Sequence, residues 1–265
     1  MSVNRTNLYD IEPHLAEIYD QQVNDTDDVK LIRRLIGGRG PWRILEPFCG
    51  TGRICIPLAG DGHAIVGLDQ SKALLARARA KVTELRDQVQ QRVVLSRADV
   101  TEDTWPAGFE LVILGANCFY ELATPREQEG CIASAAAALC PGGYVYVDNN
   151  HEEGDLDDSW QTPGPRQSFP TGTCADGTRL ESTIETVWFD AGRRLVRFRR
   201  CTKAILPDGR ITESEYLQQK HPCSTVEVRG WLEWHGFVIE HLFGERAGAP
   251  YTDSSGRAIF WARKG

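Results

Sequence analysis

Short apolar runs alternate with amphipathic stretches over the first half of the chain. The apolar runs predict β-strands at 43–46, 64–69, 93–97, 109–114 and 144–148. Between them, apolar residues at helical spacing predict helices at 52–60, 71–87 and 125–139. Strands and helices in alternation are typical of a parallel sheet that is covered on both faces. The pattern therefore predicts an α/β fold of the Rossmann-like kind.

The pattern changes after residue 151. Residues 152–177 are acidic and rich in proline and glycine, which predicts a loop. Alternating apolar and polar residues, separated by turn sequences, then predict an antiparallel three-stranded insert at 179–189, 195–206 and 211–219. A capping-box pattern from Ser224 to Glu227 predicts one more helix. Two final strands at 237–243 and 258–262 bring the mostly parallel sheet to seven strands.

The 265 residues are interpreted as one domain with four consecutive parts. These are an N-terminal helical cap (1–40), a cofactor-binding core (41–150), the loop and insert (151–222), and a C-terminal helix with two strands (223–265).

Composition narrows the class of protein. A hydrophobic fraction of 41% is ordinary for a globular protein, and no apolar stretch is long enough to span a membrane. The net charge of −7 disfavours a nucleic acid as the main partner. The eight cysteines lack zinc-like spacing, so we expect reduced thiols, no metal and a cytoplasmic location. The sequence allows a homo-oligomer as well as a monomer.

A glycine turn follows the first strand and indicates a ligand. Gly50 and Gly52 allow a close backbone approach, and Asp69 ends the next strand, where a ribose would bind. Ligands of such sheets bind beyond the carboxyl ends of the strands. The polar residues at those ends are Glu46, Asp69, Asp99, Asn117 and Asp148. They predict one nucleotide-like cofactor site.

Two residues favour S-adenosylmethionine over a dinucleotide. Cys55 stands where a dinucleotide turn has its last glycine, and Glu46 would face a diphosphate of its own sign. A carboxylate suits the ammonium and sulfonium of S-adenosylmethionine instead. A dehydrogenase would need NAD(H), which these residues disfavour.

The motif series Glu46-x-x-x-Gly50-x-Gly52, Asp69, Ala98-Asp99-Val100 and Pro141-Gly142-Gly143 resembles that of class I S-adenosylmethionine-dependent methyltransferases. The resemblance implies that Glu46 and the glycine turn hold the methionine end of the cofactor. It also implies that Asp69 binds the ribose, while Gln70, Asp99 and Val100 lie around the adenine. The full set expected at the cofactor is Glu46, Phe48, Gly50, Thr51, Gly52, Arg53, Asp69, Gln70, Asp99, Val100, Gly115 and Asn117.

A narrower resemblance concerns the acceptor. Residues 114–119, 146–150 and 221–224 are similar to segments of glycine N-methyltransferase and its small-molecule relatives. In that group the insert covers an acceptor pocket. The implied substrate is a small molecule, with N-methylation favoured over O-methylation.

Side chains near the strand ends supply candidates for chemistry. A hydroxyl acceptor usually needs a general base, whereas an amine needs only a free lone pair. The catalytic candidates are Asn117, His151 and His221, and the substrate-binding candidates are Tyr9, Tyr19, Tyr120, Asn149 and His221. For each, a purely structural role remains open.

Two other functions are kept as alternatives. In an RNA or protein methyltransferase, the basic cluster at 193–200 would be the docking surface for the substrate. The alternation of Arg197 and Arg199 with apolar residues, however, also matches a solvated sheet face. A cofactor-binding module without turnover is the non-enzymatic alternative.

Overall fold

The computed structural model describes residues 13–154, 156, 158–161 and 164–265. Its strands are β1 (Arg43–Glu46), β2 (Ala64–Asp69), β3 (Val93–Arg97), β4 (Phe109–Leu114), β5 (Leu139–Asn150), β6 (Arg166–Thr173), β7 (Arg179–Asp190), β8 (Leu195–Ile205), β9 (Ile211–Lys220), β10 (Phe237–Phe243) and β11 (Arg257–Lys264). Its α-helices are α1 (Pro13–Gln22), α2 (Asp27–Ile36), α3 (Cys55–Gly60), α4 (Lys72–Thr83), α5 (Asp87–Gln90), α6 (Pro125–Ala138) and α7 (Thr225–Trp234). Short 3₁₀ helices span Cys118–Glu121 and Asp158–Gln161.

Seven strands form one sheet in the order β10-β11-β5-β4-β1-β2-β3. Neighbouring strands are parallel except at β11, which runs antiparallel to both β5 and β10. The prediction of a mostly parallel seven-stranded sheet is confirmed. The order reverses at β1 and β4, so the carboxyl ends of these two strands open a crevice where such sheets bind ligands.

Helices cover both faces of this sheet. The helices α4, α6 and α7 each begin at a capping residue and bury an apolar face. Ser71 caps α4 by accepting a hydrogen bond from the Leu74 N–H, and Thr124 caps α6 in the same way from Glu127. The predicted capping box of α7 is present at Ser224 and Glu227. Buried apolar residues form one large cluster on each face of the sheet, which fixes the strand ends that carry the site.

The insert contains four strands, in the order β6-β7-β8-β9, and all its neighbouring strands are antiparallel. The sequence predicted three strands and assigned the residues of β6 to a loop, so that part of the prediction is wrong. β6 lies at the edge of its sheet, where Pro170 costs no ladder hydrogen bond. Its pairing with β7 is interrupted between Ser168 and Gly172, and Pro170 lies within this interruption. An interrupted edge strand leaves little alternating pattern in the sequence.

The first helix joins the insert to the core. Ile18 of α1 is fully buried and packs with Leu15, Cys174 and Leu180. On its other side, Asp20 forms ion pairs with Arg77 and Lys81 of α4. α1 therefore packs between the insert and α4, and its Tyr19 lines the crevice. No helix in the described part of the chain is long and apolar enough to cross a membrane.

Candidate active site

Asp69 fixes the glycine turn at the carboxyl end of β2. Its Oδ2 accepts a hydrogen bond from the Gly50 N–H at 2.9 Å, and its Oδ1 accepts one from the Ser71 N–H at 2.8 Å. Gly50 and Gly52 have φ angles of 53° and 82°, which favour glycine. A Cβ on Gly52 would also lie 2.7 Å from Ile56 Cδ1. Asp69 thus holds the turn in a conformation that only glycine adopts easily, next to a carboxylate.

Glu46 ends β1 just before the glycine turn and is only 4% exposed. Its Oε2 atom has no hydrogen-bond partner among the described residues. Burial raises the pKa of this carboxyl to about 8. An ionised buried carboxylate with one oxygen unpartnered is costly, and a cationic group of a ligand would relieve that cost.

A cleft with about 610 Å³ of space, its open mouth included, lies beside these groups. The residues that line it are Tyr19, Pro47, Phe48, Gly50, Asp69, Gln70, Leu74, Ala98, Val100, Gly115, Ala116, Cys118 and Glu121. Burial raises the pKa of Asp69 to about 6 and that of Tyr19 to about 12. The cleft thus combines an apolar floor with carboxylates at its ends.

Six of the residues expected at the cofactor line this cleft: Phe48, Gly50, Asp69, Gln70, Val100 and Gly115. The side chain of Asp99 is instead engaged by Thr101, whose N–H and hydroxyl both donate to its Oδ1. Thr51 is buried, and Gly52 is packed against Ile56. The expected cofactor residues that do not line the cleft thus include Glu46, Thr51, Gly52 and Asp99.

Arg53 is drawn away from the cleft into a buried charge network. Its guanidinium donates to both carboxylate oxygens of Asp28, a residue with no exposed surface. Arg246 lies 3.8 Å from the same aspartate and also donates to Asp148. Arg257 donates to Asp148 as well. The network ties the N-terminal cap to the ends of β5 and β11.

Asn117 has a left-handed backbone with φ 62°, and its side-chain oxygen already has two donors. The Asn150 N–H and the Arg257 guanidinium donate to it at 2.8 and 2.9 Å. The structure therefore uses Asn117 to hold the strand ends together. Its neighbours Ala116 and Cys118, rather than Asn117 itself, line the cleft.

His221 is buried in the core and does not line the cleft, although the sequence predicted a catalytic and substrate-binding role for it. It is 1% exposed, its Nδ1 lies 2.7 Å from Gln128 Oε1, and its Nε2 lies 3.3 Å from Glu227 Oε1. Burial alone would raise the pKa of Glu227, but hydrogen bonds from His221 and the Ser224 N–H hold it at about 2. His221 thus links the end of the insert to α7.

His151 also has its partners elsewhere. Its Nδ1 lies 3.1 Å from Thr225 Oγ1 and 2.9 Å from the Tyr251 hydroxyl, and its ring packs edge-on against Tyr251. It does not line the cleft. None of the histidines in the described ranges is placed to act as a base there.

The predicted acceptor-binding residues divide into two groups. Tyr19 lines the cleft, with its ring 3.8 Å from the position of a Cβ on Gly50. Tyr120 and Asn149 are buried, and the Tyr120 hydroxyl and both polar side-chain atoms of Asn149 lack partners among the described residues. Tyr9 lies outside the described residues.

Glu121 is the polar lining residue that the sequence did not indicate. It ends the 3₁₀ helix after β4, at the side of the cleft that faces the insert. Gln218 donates to its Oε2 at 3.2 Å, and Lys220 donates to its Oε1 at 3.4 Å. The sequence signal was weak, because the carboxylate reaches the cleft only through the left-handed residues Ala116 and Asn117.

The site fits S-adenosylmethionine. The orphaned Glu46 oxygen suits an ammonium, Asp69 suits a ribose, and the glycine turn gives the ligand room. Together with the sheet order, these features define a class I S-adenosylmethionine-dependent methyltransferase.

Comparisons with known proteins agree with this class. Residues 44–143 match the family model described as a methyltransferase domain. YqeM, a putative methyltransferase of Bacillus subtilis (strain 168), is 31% identical over 65% of this chain and 64% of its own length. The protein is therefore a methyltransferase, and S-adenosylmethionine is its cofactor.

Two solved structures share the whole fold. The sugar N-methyltransferase KedS8 from Streptoalloteichus sp ATCC 53650 has a TM-score of 0.69 at 18% identity, covering 100% of this chain and 99% of that one. CalS10, an amino pentose methyltransferase from Micromonospora echinaspora with its S-adenosylmethionine bound, has a TM-score of 0.62 at 18% identity, covering 93% and 94%. These identities establish the fold and leave the acceptor open. The narrower resemblance to glycine N-methyltransferase stays a prediction.

Proposed function

We propose that the enzyme methylates an amine nitrogen of a small polar molecule bound between the cleft and the insert. The observation that carries this proposal is Glu121, a carboxylate on the cleft wall that faces the insert. A carboxylate attracts a protonated amine and accepts its hydrogen bonds, so it can orient the nitrogen toward the cofactor.

The placement of the histidines supports nitrogen over oxygen as the methylated atom. His151 and His221 both have partners away from the cleft, so no imidazole among the described residues is ready to deprotonate a hydroxyl. An amine that has lost its proton attacks through its own lone pair. The sugar N-methyltransferase KedS8 and the amino pentose methyltransferase CalS10 share the fold, which agrees with an amine acceptor.

Tyr120 and Asn149 are proposed to bind polar groups of the acceptor. Asn149 is 2% exposed, and its amide offers two donors and an acceptor that nothing in the described structure meets. Leaving such groups unpaired costs roughly 1–3 kcal/mol each. Hydroxyl or amide groups of a bound molecule would meet them.

The chain's own residues supply position rather than acid–base chemistry. Bound S-adenosylmethionine would supply an electrophilic methyl group, and its sulfur would keep the electron pair of the broken C–S bond. The protonated amine would first lose one proton to water, and the lone pair that this frees would form the new C–N bond. Glu46, Asp69 and the glycine turn hold the cofactor, Glu121 orients the amine, and Tyr19 and Phe48 exclude water from the cleft.

Methyl transfer to matched pairs of amines and alcohols, with tritiated S-adenosylmethionine, tests the proposal. We expect the amine of a pair to be methylated and its alcohol to be left unchanged. Glu121→Gln should lower kcat/KM for the amine by roughly 10- to 100-fold, the loss of one charge-assisted contact. Glu215→Gln, on the exposed side of β9, serves as the matched control and should have no effect.

The affinity for S-adenosylhomocysteine should remain unchanged in Glu121→Gln, because Glu46 and Asp69 are untouched. Preferential methylation of the alcohols would contradict the proposal. So would a Glu121→Gln variant as active as the Glu215→Gln control.

A further inference from the structure

Arg200 lies on the inner face of the insert. It belongs to the basic cluster at 193–200, in which Arg197 and Arg199 were predicted to lie on the solvated face. Arg199 does face outward, where it pairs with Glu185 and Glu215. Arg200 lies on the opposite face of β8, together with the buried residues Val196 and Phe198. The strand therefore places one of its cations toward the core of the enzyme.

The guanidinium of Arg200 has only neutral partners among the described residues. Its Nε donates to Gln218 Oε1 at 2.6 Å, and its Nη1 donates to Ser168 Oγ at 3.0 Å and to the Phe169 carbonyl at 3.5 Å. By contrast, the arginines of the buried network each have an aspartate within salt-bridge distance. A partly buried cation without a counterion is costly unless an anion binds to it.

Lys220 does not change this balance of charge. It lies on the same face of β9 as Gln218, and it pairs with Glu121 at 3.4 Å. Burial, opposed by Glu121 and reinforced by Arg200, lowers the pKa of Lys220. Among the described residues, Glu121, Lys220 and Arg200 together therefore carry one positive charge in excess, which an acidic group of a ligand would balance.

An orphaned hydroxyl stands beside Arg200. Tyr216 is its direct cross-strand partner on β9 and is 8% exposed. The Tyr216 hydroxyl is buried and has no hydrogen-bond partner among the described residues. A tyrosine hydroxyl and a guanidinium side by side are both donors, and together they suit an anionic oxygen.

Two sets of contacts connect this pair to the cofactor cleft. Gln218, which accepts from Arg200, donates in turn to Glu121 on the cleft wall. Phe169, whose carbonyl Arg200 contacts, packs its ring edge-on against Tyr19 with centroids 5.9 Å apart. Arg200 and Tyr216 therefore lie one side chain beyond two residues that line the cleft.

We propose that Arg200 and Tyr216 bind an acidic group of the acceptor, most simply a carboxylate, while Glu121 orients its amine. The inference rests on the proposed function and narrows it, because the substrate class becomes small amines that also carry an acid. Such a molecule would place its two charges on the two residues of opposite sign that face each other across Gln218.

A binding experiment that needs no turnover tests the acidic subsite. The enzyme saturated with S-adenosylhomocysteine is titrated with acetate, N-acetylglycine and benzoate, and with the primary amide of each acid, at constant ionic strength. We expect at least one carboxylate to bind and to raise the melting temperature, whereas its amide does not. Arg200→Gln should weaken that binding roughly 10- to 100-fold, as the loss of a charged hydrogen bond implies.

Two variants guard against misfolding and unspecific effects. Tyr216→Phe removes only a hydroxyl that has no hydrogen-bond partner in the described part of the chain, so the variant should fold normally and still bind the carboxylate a few fold more weakly. Arg199→Gln removes the neighbouring cation on the outer face and should bind the carboxylate as the unaltered enzyme does.

The outcomes separate the two proposals. If no carboxylate binds better than its amide, or if Arg199→Gln and Arg200→Gln weaken it equally, the acidic subsite is refuted. In the methylation assay, amines with and without an acid would then be used equally well. If carboxylates bind through Arg200 but no amine is methylated, the subsite stands and the proposed N-methylation fails.

Discussion

Protonation of Glu46 should control both the stability of the enzyme and its affinity for the cofactor. Burial raises the pKa of this carboxyl from 4.5 to about 8, so it is mostly protonated at pH 7 before the cofactor binds. The ammonium of the cofactor needs the ionised form. Binding should therefore release a proton, and the affinity should rise as the pH rises toward 8.

The structure gives the size of this effect. A pKa that rises from 4.5 to about 8 changes the free energy of ionisation by about 5 kcal/mol, at about 1.4 kcal/mol for each factor of ten. Because the folded protein holds the proton more tightly than the unfolded chain, the cofactor-free enzyme should lose stability as the pH rises from 4.5 to 8. Below pH 4.5 both states are protonated, and this contribution to stability is complete.

Calorimetric titration with S-adenosylhomocysteine at pH 6, 7 and 8 measures the linkage. We expect Kd to fall by about tenfold from pH 6 to 7 and by about fivefold from pH 7 to 8, with close to one proton released at pH 6 to 7 and about half a proton at pH 8. Glu46→Gln should lose most of this pH dependence, keeping at most about a twofold change between pH 6 and 7 from Asp69, and it should bind more weakly at pH 8. It should also be more stable than the unaltered protein at pH 8 without cofactor.

Glu213→Gln, an exposed residue of the insert, is the control and should keep the slope. A Kd that stays constant from pH 6 to 8 would refute the reasoning. The same slope in Glu46→Gln would refute it as well, because another group would then carry the proton.

Two further substitutions test the buried contacts. Asp28→Asn removes the carboxylate that pairs with Arg53, so we expect it to lose about 3–5 kcal/mol in urea unfolding. Exposed Asp27→Asn should change stability little, and equal effects of the two substitutions would contradict the buried network. His221→Ala breaks the link between the insert and α7 and should cost about 1–3 kcal/mol while cofactor affinity stays unchanged. A variant of His221 that is fully stable yet inactive would restore it as a catalytic candidate.

The parallel core could be predicted from the sequence because each element carries its own signal. The runs that form β1 to β4 are continuous and apolar, and the helix caps at Ser71 and Ser224 are local patterns. Asp69 could be found for the same reason, since it directly follows a buried strand. These features depend on neighbours in the sequence.

Features that depend on distant partners could not be predicted. His221 was expected at the active site, but Gln128, 93 residues earlier in the chain, holds it in the core. The inward direction of Arg200 and the partners of Glu121 depend on how the insert lies on the core. β6 was missed because an edge strand with a register break at Pro170 has neither a long apolar run nor a regular alternation.

The most direct test of the cofactor site is titration of the enzyme with S-adenosylhomocysteine, with Asp69→Ala and the exposed control Asp87→Ala alongside. We expect one site per chain in the unaltered enzyme and in Asp87→Ala. Asp69→Ala should lose at least about 100-fold in affinity, because both the ribose contact and the anchor of the Gly50 turn disappear. Undiminished binding by Asp69→Ala would contradict the account of the site.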